Sequence, residues 1–139
     1  MRIVVNTALT LIVGSALTAI ALKYSPAAWT PIQPVGLCLM VVAFVLWTLA
    51  RFQLGNSLAV SAQAKQLVTR GLYARIRNPI YFFVTCLIAG LILLLGRPVW
   101  FLVFAVIIPL QIWRAHKETQ VLEIKFGEEY RKYRSTTWF

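Results

Sequence analysis

The chain has 139 residues, of which 60% are hydrophobic and only 13% are charged. Soluble domains carry about 25% charged residues, so this composition excludes an ordinary soluble protein. The formal net charge of +10 would suit a nucleic-acid-binding protein. The positions of the basic residues instead indicate a membrane topology signal, so we expect no nucleic-acid partner.

Four stretches without Asp, Glu, Lys or Arg predict four transmembrane helices, because a charged side chain is costly at the centre of a bilayer. The predicted spans are Ile3–Leu22, Val35–Ala50, Ile80–Gly96 and Pro98–Trp113. The last three are close to the minimum of about 17 residues for a membrane helix, so we expect interfacial aromatic residues to support their ends. We therefore predict an all-α polytopic membrane protein that forms a single domain over residues 1–139.

The basic residues predict how these helices are oriented. In the four-span arrangement, twelve of the 14 Lys and Arg residues fall on one side of the membrane, and only Lys23 and Arg97 fall on the other. This bias places both termini and the loop Arg51–Asn78 in the cytoplasm. Anionic lipid headgroups are the expected partners of the basic surface.

Prolines and one apolar face predict the structure between and after the spans. We expect Lys23–Pro34 to be a short external turn, because its three prolines prevent it from being helical throughout. Pro109 is expected to kink the fourth span. Beyond that span, the tail Arg114–Phe139 is predicted to be cytoplasmic and to form an amphipathic helix at least as far as Tyr133, with Glu118 on its apolar face. The apolar positions recur at helical spacing: Leu122, Phe126, Tyr130 and Tyr133.

Two polar blocks contain the residues that are able to do chemistry, and the topology puts both at the cytoplasmic surface. The first block, Gly71–Tyr81, places Arg75 and Arg77 beside an Asn-Pro pair that is typical of a helix start. Arginines next to a helix N-terminus suit a carboxylate or phosphate ligand, although interfacial arginines more often only anchor a protein to headgroups. The second block, Glu118–Tyr133, contains all four acidic residues.

Together the two blocks resemble the isoprenylcysteine carboxyl methyltransferase family of integral-membrane enzymes. That family has the pattern G-x-Y-x-x-x-R-H-P-x-Y, followed further along by E-E-x-x-L-x-x-x-F-G-x-x-Y-x-x-Y. The matching positions are Gly71, Tyr73, Arg77, Pro79 and Tyr81, then Glu118, Leu122, Phe126, Gly127, Tyr130 and Tyr133. The similarity is strongest in residues 66–133. This sequence departs from the pattern at four positions: Gln66, Leu72, Asn78 and Thr119.

The resemblance implies a small methyltransferase of the bacterial inner membrane that uses S-adenosylmethionine as the methyl donor. The implied cofactor-binding residues are Gln66, Leu67, Gly71, Tyr73, Arg77, Asn78, Pro79, Tyr81 and Glu118. The implied reaction is methyl transfer to a lipophilic acceptor that enters from the bilayer, with a carboxylate as the expected accepting group. Arg77, Glu118 and Arg75 are the expected catalytic residues, since a guanidinium orients a carboxylate that arrives ionised and needs no general base.

Two alternative functions remain open from the sequence. Methylation of a phospholipid amine would require the acceptor to lose a proton, for which only Glu118 or a tyrosine is available. Alternatively, a non-enzymatic membrane protein would use the polar blocks only to dock a partner or anionic lipids. We expect no metal, because His116 is the only histidine and the two cysteines, Cys38 and Cys86, lack the spacing of metal ligands.

Overall fold

The computed structural model describes the backbone of residues 2–24, 28–54 and 67–138, and the side chains from residue 7 onward. It contains four α-helices: α1 (Arg2–Lys23), α2 (Ile32–Leu54), α3 (Pro79–Leu95) and α4 (Phe104–Thr136). Two short 3₁₀ helices accompany them: Gly71–Ala74 before α3, and Pro98–Val103 leading directly into α4. The described residues form no β-strand, so the predicted all-α class is confirmed.

Within the described part of the chain, two segments are long and apolar enough to cross a membrane, namely Ile32–Leu54 and the continuous stretch Pro98–Thr136. The apolar stretches Thr7–Lys23 and Pro79–Leu95 are shorter. The apolar part of α4 ends where the charged tail begins, as the sequence predicted. These helices suit an integral membrane protein, whereas the number of four spans stays a prediction.

Much of the apolar surface of these helices is exposed. Leu11 in α1 is 66% exposed, Leu102 before α4 is 72% exposed, and Val106 in α4 is 69% exposed. A water-soluble protein rarely leaves large contiguous apolar patches uncovered. Lipid chains would cover such surface in a bilayer, and the helical backbone satisfies its own hydrogen bonds there.

Helix α2 begins earlier than the prolines led us to expect. We predicted a non-helical turn up to Pro34, but α2 starts at Ile32 and includes Pro34 in its first turn. The amide groups of a first helical turn have no acceptor within the helix, so a proline there removes no hydrogen bond. The prediction of a turn through Pro34 was therefore wrong at its C-terminal end.

Helix α4 is interrupted at a glycine near its end. Gly127 has φ 49° and ψ −119°, and it is the one residue of α4 with a non-helical backbone. This is a conformation that residues with a side chain rarely adopt. The backbone keeps helical angles through Pro109, where we had expected the kink. The apolar face of the predicted tail helix is consequently divided between Phe126 and Tyr130.

The core lies between α2 and α3, where two glycines bring the backbones into contact. A Cβ atom built on Gly36 would lie 2.5 Å from the amide nitrogen of Leu94 and 2.8 Å from the carbonyl oxygen of Gly90. A Cβ atom on Gly90 would lie 2.6 Å from the amide nitrogen of Met40. Only glycine fits at either position. Close crossings of this kind, built on small residues, are common between membrane helices.

A buried glutamine joins the ends of the same two helices. The side-chain oxygen of Gln33 accepts a hydrogen bond from the amide of Thr30 (2.8 Å), and its Nε2 donates to the carbonyl of Leu94 (3.3 Å). Both ends of the amide group are therefore paired, as a buried polar group requires. This pairing and the glycine crossing hold α2 and α3 together as the support for the segment that precedes α3.

Candidate active site

The segment before α3 is attached to the end of α2. The amide of Leu72 donates a hydrogen bond to the side-chain oxygen of Gln53 (2.8 Å). Gly71 next to it has φ 62°, and a Cβ atom at this position would collide with the Gln53 amide group. Glycine is therefore favoured at position 71 by its backbone angle, and a larger residue would also have to displace the Gln53 side chain that bonds Leu72. Gly71 shapes the turn and does not line the cavity described below.

The end of the tail pairs with the same segment. The amide of Trp138 donates to the carbonyl of Arg75 (2.8 Å), and the amide of Arg77 donates to the carbonyl of Trp138 (3.0 Å). The hydroxyl of Tyr133 donates to the carbonyl of Tyr73 (2.7 Å), and both tyrosines are buried. The first polar block and the tail therefore form one connected unit, although the sequence separates them by α3 and most of α4.

Burial keeps these two tyrosines protonated. Removal from water raises the pKa of Tyr133 to about 12. The pKa of Tyr73 is also raised, first by burial and then by the negative charge of Glu118. Neither phenol ionises near neutral pH, so neither serves as a general base there.

Replacing Tyr133 by phenylalanine is expected to destabilise the protein by about 1–3 kcal/mol, because it leaves the buried carbonyl of Tyr73 without its donor. The measurement is the thermal unfolding of the purified protein in detergent. Tyr24→Phe is the matched control, because Tyr24 is 55% exposed. Equal unfolding temperatures for the two variants would contradict a structural role for this hydrogen bond.

A cavity of about 380 Å³ lies between α3 and α4 beside this unit. Its polar lining comprises Arg77, Asn78, Tyr81, Thr85, Gln111, His116, Thr119 and Arg134. Its apolar lining comprises Phe82, Ile108, Ile112 and Ala115. Within it, the hydroxyl of Thr85 donates to the side-chain oxygen of Gln111 (2.9 Å), which links the two helices. A concave surface that combines apolar side chains with convergent polar groups is typical of a ligand site.

Glu118 faces the first polar block from the neighbouring helix. The hydroxyl of Tyr81 donates a hydrogen bond to the carboxylate of Glu118. The negative charge of Glu118 also contributes to the raised pKa of Tyr73. The Glu118 side chain remains accessible to solvent, yet the surrounding protein raises its pKa by desolvation. The hydrogen bond from Tyr81 opposes that shift. The carboxylate therefore lies next to the cavity, adjacent to the lining residue Thr119.

Other residues predicted for the site lie outside the cavity lining. Arg75 is exposed, Leu67 is half-buried before the 3₁₀ turn, and Pro79 is buried at the first position of α3. Gln66 lies outside the described residues. The structure thus brings Arg77, Asn78, Tyr81 and Glu118 together and leaves Arg75 at the surface.

Asn78 occupies the position before α3 but does not cap it as we expected. Its side chain makes no capping hydrogen bond, and its backbone has φ −122° and ψ 61°. The side chain lines the cavity instead. The carbonyl of Asn78 still accepts the first helical hydrogen bond, from the amide of Phe82 (3.2 Å). Asn78 therefore starts the helix through its backbone and leaves its amide group available to the cavity.

Several residues of the cavity were not predicted from the sequence. Thr85 and Gln111 are polar residues inside otherwise apolar spans, and such residues often mark functional sites, so the sequence did contain a signal for them. Arg134 lay among several basic residues of the tail, and nothing in the sequence distinguished it from Arg131 or Lys132. Its place in the cavity depends on the break at Gly127.

The two arginines that line the cavity, Arg77 and Arg134, form no ion pair with a carboxylate of the described residues. The Nε atom of Arg77 is buried and has no hydrogen-bond partner among the described residues. In the described part of the chain, both ion pairs belong to Arg131, which contacts Glu123 (3.0 Å) and Glu128 (2.9 Å). A buried donor without an acceptor is costly, so the geometry around Arg77 favours an anionic ligand.

Comparison with known proteins identifies the family of the chain. A model of the phospholipid methyltransferase family matches residues 32–129, from the first residue of α2 to just beyond Gly127. No significant match was found among curated proteins or among solved structures. The matched family belongs to the same membrane methyltransferase superfamily as the isoprenylcysteine carboxyl methyltransferases, so the resemblance seen in the sequence is confirmed at the superfamily level. With well over half of its length matched, the chain belongs to the phospholipid methyltransferase family.

Proposed function

We propose that the protein transfers a methyl group from S-adenosylmethionine to a lipophilic acceptor, and that the cavity between α3 and α4 is its active site. The observation that carries this proposal is the arrangement of the cavity itself. Arg77 and Tyr81, with Glu118 beside them, lie at its polar end, while apolar residues of two membrane-type helices line the rest. Membership of a methyltransferase family supports the reaction class.

The residues of the polar end fit the chemical groups of the cofactor. The Nε–H of Arg77, which has no partner among residues 67–138 or the other described segments, suits a carboxylate such as the one on the methionine part of S-adenosylmethionine. The carboxylate of Glu118 suits a ribose hydroxyl, an ammonium group or a sulfonium cation. The bound cofactor would supply an electrophilic methyl group, and the protein would supply alignment of the acceptor with it.

The acceptor is either a carboxylate or an amine, and the two differ in their need for a base. A carboxylate is already ionised, so Arg77 would only have to orient it. An amine must lose a proton, and burial makes Tyr73 and Tyr133 unsuitable as bases. Glu118 would then accept the proton, and its raised pKa makes it a better base than an ordinary glutamate. The family match favours a phospholipid amine as the second candidate acceptor.

The site is expected to face the cytoplasm. Twelve of the 14 basic residues would lie on that side, together with both termini. Anionic headgroups would hold the basic surface of the tail against the membrane. S-adenosylmethionine would then reach the cavity from the cytoplasm and the lipophilic acceptor from the bilayer.

Calorimetry with S-adenosylmethionine on the purified protein in detergent tests the proposal directly. We expect saturable binding in the micromolar to millimolar range. No binding at millimolar cofactor would contradict both enzymatic functions and favour a protein that only docks a partner or lipids. Inside-out membrane vesicles should bind the cofactor and right-side-out vesicles should not, since S-adenosylmethionine does not cross the membrane freely.

Lipid extracts incubated with the protein and methyl-labelled cofactor then identify the acceptor class. Methyl esters of carboxylates release labelled methanol in base, whereas N-methyl groups do not. Labelled methanol would indicate a carboxylate acceptor, and base-stable label in the lipid fraction would indicate a phospholipid amine. No labelled lipid at all, with the cofactor bound, would contradict a lipophilic acceptor.

A further inference from the structure

We propose that Arg77 and Arg134 form an oxyanion-binding site at the polar end of the cavity, and that it holds the phosphate or carboxylate of an amphiphilic acceptor. The ligand is an acceptor only if the proposed methyl transfer is correct. The site itself rests on the cavity, its charges and its apolar walls.

The two arginines come from distant parts of the chain and are brought together by the tail. Arg77 precedes α3, and Arg134 lies near the end of α4, beyond the break at Gly127. Tyr133, which directly precedes Arg134, donates its hydroxyl to the carbonyl of Tyr73 (2.7 Å). Trp138 pairs with the backbone on either side of Ile76. These contacts fix the end of the tail against the segment that carries Arg77, so both arginines line one cavity, with Arg77 half-buried and Arg134 exposed.

The positive charge of Arg77 and Arg134 favours binding of an anion. Neither Arg77 nor Arg134 forms an ion pair with a carboxylate of the described residues. Glu118 lies beside the cavity but interacts with Tyr81, and Glu123 and Glu128 both pair with Arg131. No acidic residue lines the cavity among the residues that the structure describes. Two guanidinium groups at one end of a cavity suit a phosphate or carboxylate, which accepts several charge-assisted hydrogen bonds.

The rest of the cavity indicates that the anion belongs to an amphiphile. Phe82, Ile108 and Ile112 line it along α3 and α4, on the side of the apolar spans. A ligand with an anionic group at the arginines would place a hydrocarbon chain against these residues and bury it there. A small free oxyanion would leave that apolar surface uncovered. The carboxylate of S-adenosylmethionine is the other possible source of an oxyanion, and it must be distinguished by experiment.

The test measures binding of dodecyl phosphate and laurate, below their critical micelle concentrations, to the protein in a non-ionic detergent. We expect Arg134→Gln to weaken binding of the better of these two probes by about ten- to a hundredfold, because a charge-assisted contact is lost. Inorganic phosphate should bind far more weakly than dodecyl phosphate. Dodecyltrimethylammonium has the same hydrocarbon chain and a positive charge. It should bind equally to the unmodified protein and to Arg134→Gln.

Arg131→Gln is the matched control, because it removes the same charge three residues earlier from a side chain that faces Glu123 and Glu128. We expect it to change the affinity for either anionic probe less than twofold. Arg134→Lys keeps the charge and should bind better than Arg134→Gln, which separates loss of charge from any change in folding. Equal affinities for the Arg134 and Arg131 glutamine variants would overturn the proposal.

The cofactor measurement separates the two possible sources of the oxyanion. We expect Arg134→Gln to leave the affinity for S-adenosylmethionine nearly unchanged. A loss of cofactor affinity with unchanged probe affinity would assign the oxyanion site to the cofactor and overturn the proposal. The probe assay involves no turnover. A protein that binds dodecyl phosphate through Arg134 but transfers no methyl group would therefore contradict the proposed function and leave the oxyanion site in place.

Discussion

Replacing Arg77 by alanine is expected to reduce methyl transfer by at least about a hundredfold, because it removes a preorganised donor from the site. The variant should still fold. The Nε atom of Arg77 has no partner to lose among the described residues, and the hydrogen bond to Trp138 uses the backbone amide, which alanine retains. Removing such a side chain should cost only about 1 kcal/mol of stability. The measurements are the initial rate of methyl transfer and the unfolding temperature.

Arg75→Ala is the matched control for this prediction. Arg75 lies two residues earlier and carries the same charge, but it is exposed and does not line the cavity. Its variant should keep most of the activity. Near-normal turnover of the Arg77 variant would show that Arg77 only anchors the protein to headgroups, as interfacial arginines commonly do.

Replacing Glu118 by glutamine is expected to weaken binding of S-adenosylmethionine by about 1.5–3 kcal/mol, the usual contribution of a hydrogen bond to a charged group. Glutamine keeps the shape of the side chain and one acceptor for the hydroxyl of Tyr81, so the fold should change little. Calorimetry gives the affinity, and thermal unfolding gives the stability.

Glu123→Gln serves as the control in the same helix. Glu123 is turned by about 140° from Glu118 around the helix axis. Its carboxylate accepts a hydrogen bond from Arg131 (3.0 Å) instead of facing the first polar block. The cofactor affinity of this variant should be close to normal. Similar losses for the two glutamine variants would contradict the placement of Glu118 beside the active site.

The raised pKa of Glu118 adds a pH dependence to this prediction. Desolvation by the surrounding protein raises the pKa of this carboxyl above its ordinary value of 4.5, so it takes up a proton at a higher pH than a glutamate in water. If binding of S-adenosylmethionine requires the ionised carboxylate, the affinity is highest above the raised pKa of Glu118. The affinity falls as the pH decreases through that pKa. The loss of affinity should therefore begin at a higher pH than the titration of an exposed glutamate would give. Glu118→Gln should lack this dependence, because its amide group does not titrate there.

The positions of the helices were predictable because each helix is marked by a local pattern in the sequence. Charge-free runs between basic residues marked the helices, and α3 extends from Pro79 to Leu95 where the span Ile80–Gly96 was predicted. The helical spacing of the tail put Glu118 on the face that meets the first polar block. Gly96, with φ 63°, ends α3 where a glycine is expected to end a helix.

The missed features depend on contacts between distant parts of the chain. Nothing near Gly36 or Gly90 in the sequence shows that each must leave room for the other helix. Arg134 resembles its basic neighbours until the tail is placed, and Trp138 gives no sign that it pairs with the segment around Ile76. Asn78 is a residue type that commonly caps a helix, but here it lines the cavity and its side chain makes no capping hydrogen bond. Local patterns thus predicted the elements, while packing decided which side chains meet.

Gly127 also limits where insertions and deletions are tolerated in α4. The residues between Thr119 and Gly127 form a helical spacer between the cavity and the bend. One residue inserted there would rotate everything beyond it by about 100° and move it by about 1.5 Å along the axis. Tyr133 would then miss the carbonyl of Tyr73. In relatives with the same arrangement, alignment gaps should therefore fall outside this interval.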